Sequence, residues 1–144
     1  APGPVASRNE MTPETGTVPL DGRPHLTPSI KGYMGDSRGR WDGNTLVVET
    51  KNLNGRNGVG GNGGGTTSDR ITLTERFTML DANTLQYEVT IHDPGTWARS
   101  WTIAFPWKRD QRYGMFEYAC HEGNYAMKNI LTGARADDQT APKK

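Results

Sequence analysis

Between residues 71 and 91 the chain reads ITLTERFTMLDANTLQYEVTI, and its apolar positions fall on every second residue. That period belongs to a half-buried strand. Ile71, Leu73, Phe77 and Met79 share one face, with Glu75 set among them, and Thr72, Thr74, Arg76 and Thr78 share the other. Asp81-Ala82-Asn83 supplies a turn, after which Leu85, Tyr87, Val89 and Ile91 alternate with Gln86, Glu88, Thr90 and His92. The stretch predicts a β-hairpin, and the rest of the chain is read around it.

The same pattern recurs on both sides. Trp41 leads into Asp42-Gly43-Asn44, a strong two-residue hairpin signal, and Thr45-Leu46-Val47-Val48-Glu49-Thr50 forms the return strand. The turn sequences DGNTL (42–46) and DANTL (81–85) echo one another, as expected of a meander of up-and-down pairs. After a turn at His92-Asp93-Pro94-Gly95, Trp101, Ile103, Phe105 and Trp107 alternate with Thr102 and Ala104, and Pro106 marks an edge or a strand end. Residues 115–121 predict a last strand, with Phe116, Tyr118 and Cys120 on one face. Asn124 is a good N-cap. From it Met127, Ile130, Leu131 and Ala134 follow at helical spacing to about residue 134, a stripe expected to pack on the sheet, with Gly133 at its end. The fold class is therefore mainly β: an antiparallel barrel or sandwich with one short C-terminal helix. Residues 1–17 hold three prolines and few large apolar groups and read as an extended N-terminal arm. Residues 18–135 form a single β domain, and 136–144 a flexible tail.

Composition narrows the function classes. The chain has 144 residues, 33% hydrophobic, with 17 basic against 16 acidic residues and a net charge of +1. The interleaved charges give no electrostatic case for nucleic acid as a partner. No apolar run is long enough to span a bilayer as a helix. One cysteine, Cys120, forbids an intramolecular disulfide. The glycine-rich segment between Asn52 and Thr67 lies between strands and lacks the spacing and following lysine of a phosphate loop, so it reads as a connection. A start at Ala1-Pro2-Gly3-Pro4 without methionine is compatible with signal-peptide cleavage.

Three motifs resemble those of a widespread group of uncharacterised secreted bacterial proteins. They are LDGRPH (20–25), GDSRGRWDGNTLVVET (35–50) and EYACHEGNY (117–125) with NILTGAR (129–135), and the ERFT and EVT segments of the central hairpin accompany them. The resemblance covers about residues 20–135. It implies a β-rich fold and a secreted or periplasmic location, and no activity. Members of the group carry further strands before the LDGRPH-like motif, where this chain has its short arm. A shared fold would then leave a sheet edge open, to be covered by the chain's own arm or by a neighbour's through strand addition.

Four chemistries are candidates. His25, His121 and Glu122 are the candidate metal ligands, with His92 the remaining histidine, though their spacing matches no ligand motif. Cys120 and His121 are sequence neighbours and point to opposite faces of a strand, which favours a buried structural thiol over a dyad. Glu75, on an apolar face, needs a partner, for which Arg99, Arg76 or an inward polar ligand are available. With Glu49, Glu88 or Glu117 it could form a carboxylate pair. Trp41, Trp97, Trp101 and Trp107 could stack sugars, Trp97 beside its turn being the one expected to be exposed. The ligand-binding set is thus Glu75, Trp97 and Trp41, and the assembly set Val18, Leu20 and Trp107.

The leading expectation is a non-catalytic extracellular module that self-associates through its N-terminal arm, by strand addition to other copies of itself, into an oligomer or filament. The alternatives are a secreted ligand- or carbohydrate-binding barrel and a small metal-dependent enzyme built on His25, His121 and Glu122.

Overall fold

A computed structural model of the chain describes residues 3–8, 15–56, 67–114, 116 and 123–140. The protein is mainly β, with seven strands in two antiparallel sheets and one helix among the described residues. Strands β1 (Val5–Arg8) and β2 (Thr15–Val18) pair as a small ribbon, Val5 opposite Val18. The main sheet is a meander of β3 (Asp36–Asp42), β4 (Thr45–Lys51), β5 (Thr72–Asp81), β6 (Thr84–His92) and β7 (Trp101–Lys108), in that spatial order. The sheet is open. Where the sequence allowed a barrel, β3 and β7 lie at opposite edges and do not pair.

The two echoing turns solve the same problem differently. Gly43 takes φ +61° at the first position of its two-residue loop, which only glycine adopts cheaply. Ala82 has no such freedom. There the register slips between Met79 and Asp81, placing Leu80 as an extra residue in β5, and Asp81 Oδ1 accepts the Asn83 N–H at 2.8 Å.

Register sorts the side chains into rows across one face. One row is Trp41, Leu46, Phe77, Tyr87, Phe105, and the next is Gly39, Val48, Glu75, Val89, Ile103. The expected faces of the central hairpin are therefore the observed ones. Two small cores form against this face. Val18, Leu46 and Val48 pack with Val5, Leu20 and Phe77, and Leu53, Ile71 and Ile91 pack with Leu73, Val89, Trp97 and Trp101.

Several expectations meet a different structure. Part of the extended arm is the β1–β2 ribbon, and Val18 is buried in its own chain's core. Gly39 permits this, because it leaves room on the sheet for Val18 and Leu20, and its N–H donates to the Pro19 carbonyl at 2.9 Å. Helix α1 (Ala126–Thr140) begins as expected, with Asn124 Oδ1 accepting the Ala126 N–H at 3.2 Å. It runs through Gly133 into the segment read as a tail, and Met127, Ile130 and Leu131 are exposed instead of packed on the sheet. Of the predicted strand over 115–121 only Phe116 is described, outside any strand, exposed and edge-on to Tyr113; the rest, Cys120 included, and most of the glycine-rich segment lie outside the described residues.

Candidate functional site

Alternation gives the main sheet two chemically distinct faces. The apolar one carries Glu75 as its single charged side chain in the register rows. Glu75 stands on β5 between Val48 of β4 and Val89 of β6. Its partner is neither Arg76 nor Arg99: Tyr87 donates its hydroxyl proton to Glu75 Oε1 at 2.8 Å. Burial, then the Glu75 charge and this hydrogen bond, push the Tyr87 hydroxyl well above the ordinary tyrosine range. The Tyr87 ring in turn stacks on Trp107, centroids 4.6 Å apart, and meets Phe77 and Phe105 at 5.2 and 5.4 Å. Tyr87 went unmarked in the sequence, although a hairpin about Asn83 sets it opposite Phe77 and diagonal to Glu75, within reach of a long side chain.

Over this floor, between the sheet and the β1–β2 ribbon, lies a cavity of about 1260 Å³. Leu46, Val48, Leu73, Phe77 and Met79 line it with Glu75, and Val18 belongs to its wall. Of the sequence-predicted binding set, Glu75 and Trp41 both line this cavity. Trp97 does not. It lies edge-on against Trp101, centroids 5.4 Å apart, and packs on the second core. Of the assembly set, Val18 and Leu20 pack on their own sheet, while Trp107 is 44% exposed near the end of β7.

The opposite face holds the polar constellation, at the β3–β4 edge. The proline-bearing segment before β3 brings His25 between two carboxylates, Nδ1 at 3.0 Å from Asp36 Oδ2 and Nε2 at 3.0 Å from Glu49 Oε1. Two carboxylates thus bracket the ring. Asp36 also accepts the Leu26 N–H at 2.8 Å and Arg38 Nη1 at 2.6 Å. Burial works to raise the Asp36 carboxyl, but these three donors outweigh it and hold it below the usual range. Lys51, 2.7 Å away, does most to lower Glu49, against its burial, with His25 adding to the effect. Arg38 Nε donates to the Pro24 carbonyl at 3.1 Å and Asn52 Nδ2 to the Leu26 carbonyl at 3.0 Å. The cluster is a clasp that fastens the segment around His25 to the sheet.

His121 and Glu122, the other two expected metal ligands, lie outside the described residues. Among the described residues no group of three or more histidine, cysteine, aspartate or glutamate side chains is placed to hold a metal ion. His92 is bonded through Nδ1 to Ser100 Oγ at 2.9 Å. Asp36 and Arg38 escaped sequence reasoning because nothing local links them to His25.

Compared with protein-family models, curated proteins and solved structures, the chain has no match.

Proposed function

We propose that the protein is a non-catalytic structural module that works by associating with copies of itself, exported as its motif resemblance implies. The observation that carries this reading is the apolar face of the main sheet, which is left largely uncovered: Trp41, Met79, Phe105 and Trp107 are each more than 40% exposed. The two layers of a sandwich are only begun by the β1–β2 ribbon, and a second copy would complete them. A net charge of +1 opposes such contact little.

Two strand edges offer the means. From Trp101 to Trp107 strand β7 carries no charge, and among the described residues its one strand neighbour is β6. Arg109 N–H donates to the Asn83 carbonyl at 2.8 Å, continuing the β6–β7 register. Bonded and unbonded pairs alternate in such a ladder, so Thr102, Ala104 and Lys108 turn their N–H groups outward, and Pro106 sits where no inward donor is needed. Strand β1 is likewise the outer strand of its ribbon. An open edge on each sheet favours head-to-tail addition of the N-terminal ribbon of one copy to β7 of the next, and such heterologous contacts build open chains.

Ile103→Lys tests the reading. An inward-pointing lysine on an edge strand is a native device against pairing, and Ile103 is already 39% exposed, so the fold should lose only about 1 kcal/mol. In sedimentation velocity the parent chain is expected to form species larger than one copy and the variant to sediment as a 15.9 kDa monomer. Identical sedimentation of the two would remove β7 from the account.

A further inference from the structure

We propose that the cavity under the β1–β2 ribbon is a binding site for a small amphipathic ammonium compound, with its hydrocarbon body on the apolar floor and its N–H donors on Glu75. The proposal does not rest on self-association, although the cavity shares Trp41 and Met79 with the apolar face offered there to a second copy. Ligand pockets are mostly apolar, with a few placed polar groups, and this one has that form. Leu46, Val48, Leu73, Phe77 and Met79 provide the floor, and Glu75 is its single charged side chain in the register rows. The other charged residues bordering the cavity, Asp36 and Arg38, alternate with its facing positions Ser37 and Gly39, and their side chains are held in the clasp around His25.

Glu75 Oε1 receives the Tyr87 hydroxyl, which leaves Oε2, not sealed from solvent, to a further donor. No lysine, arginine or histidine occupies the apolar face in the register rows. A carboxylate on an apolar floor attracts a donor, most strongly a charged one, and repels an anion. The rings of Phe77 and Tyr87, 5.2 Å apart, and of Trp107 beside them add faces that attract a cation. A neutral alcohol would supply one weaker bond and no charge. The chemistry therefore selects an amine over an alcohol, and an alcohol over a carboxylate, at equal chain length.

Octylammonium, octanol and octanoate, titrated into the full-length protein at neutral pH by calorimetry, separate these cases. Octylammonium is expected to bind saturably, one per chain, about tenfold tighter than octanol, with octanoate weakest. Glu75→Gln should bring octylammonium to the level of octanol while leaving octanol unchanged. Tyr87→Phe, which frees Oε1 and keeps the carboxylate, should retain the preference for the amine. Leu85→Trp, which fills the same cavity away from Glu75, should weaken amine and alcohol alike. The proposal is overturned by octanoate binding as tightly as octylammonium, by an amine preference that survives Glu75→Gln or vanishes in Tyr87→Phe, or by no saturable binding of either to the parent protein.

Discussion

Replacing Asp93 by alanine is expected to lower the stability of the protein by about 3 kcal/mol. Asp93 is 2% exposed and gathers the turn after β6 onto the segment before β5. Its two oxygens accept the Ser68 N–H at 2.7 Å, the Ser68 hydroxyl, the Thr96 hydroxyl at 2.7 Å and the Gly95 N–H at 3.0 Å. Alanine leaves all four donors without an acceptor next to the core of Leu53, Ile71 and Ile91. Asparagine keeps the shape but sets an amide donor against donors, so Asp93→Asn should cost about 2 kcal/mol. The same group makes stability depend on pH. Burial would raise the carboxyl, but the bonds from Ser68, Thr96 and Gly95 prevail and hold it at about 2, below its ordinary 3.8. A carboxyl lowered by folding contributes fully above its unfolded value and loses that contribution as pH falls toward the folded one. About 2 kcal/mol should thus disappear between roughly pH 4 and pH 2 in the parent protein and not in Asp93→Asn. Urea unfolding of both proteins across that range measures it. Equal acid sensitivity would show that Asp93 is not the group responsible.

Replacing Gly39 by valine should detach the N-terminal ribbon. A β-carbon on Gly39 would lie 2.5 Å from Leu20 Cδ2 and 2.8 Å from Val18 Cγ1, well inside contact distance. Leu20 can swing aside, but Val18 is 9% exposed and wedged against Leu46 and Val48. The expected cost is about 2–3 kcal/mol, confined to the first core. Hydrogen exchange should report it as lost protection at Val18 and at residue 39 itself, whose N–H would no longer reach the Pro19 carbonyl, with the β5–β6 ladder unchanged. Retained protection at Val18 would mean that the ribbon tolerates the added bulk.

How much of this was readable in the chain depends on how local the determinants are. The hairpins at Gly43-Asn44 and Ala82-Asn83, and the placing of Glu75 among Leu73, Phe77 and Met79, follow from alternation and turn chemistry within a few residues. The start of α1 is written in Asn124. Its length is not, because Gly133 sits among residues such as Ala134, Arg135 and Ala136 that favour helix, and one glycine costs only about 1 kcal/mol. The β1–β2 ribbon is two four-residue strands whose partner surface is Gly39, distant in sequence. The clasp around His25 joins residues 11 and 24 positions away, so no local pattern could announce it. Trp97 follows a polar turn and reads as exposed, yet Trp101, four residues on, takes its ring. What a sequence hides here is pairing across distance.

The claim at the centre of the account is that one copy leaves its sheet unfinished and another copy completes it. Light scattering coupled to size exclusion, run on the full-length chain over roughly 1–100 µM, tests this most directly. The account predicts a mass above 15.9 kDa that grows with concentration, as open-ended head-to-tail addition requires. A constant mass of 15.9 kDa across that range would contradict it and leave the β7 edge to the chain's own residues.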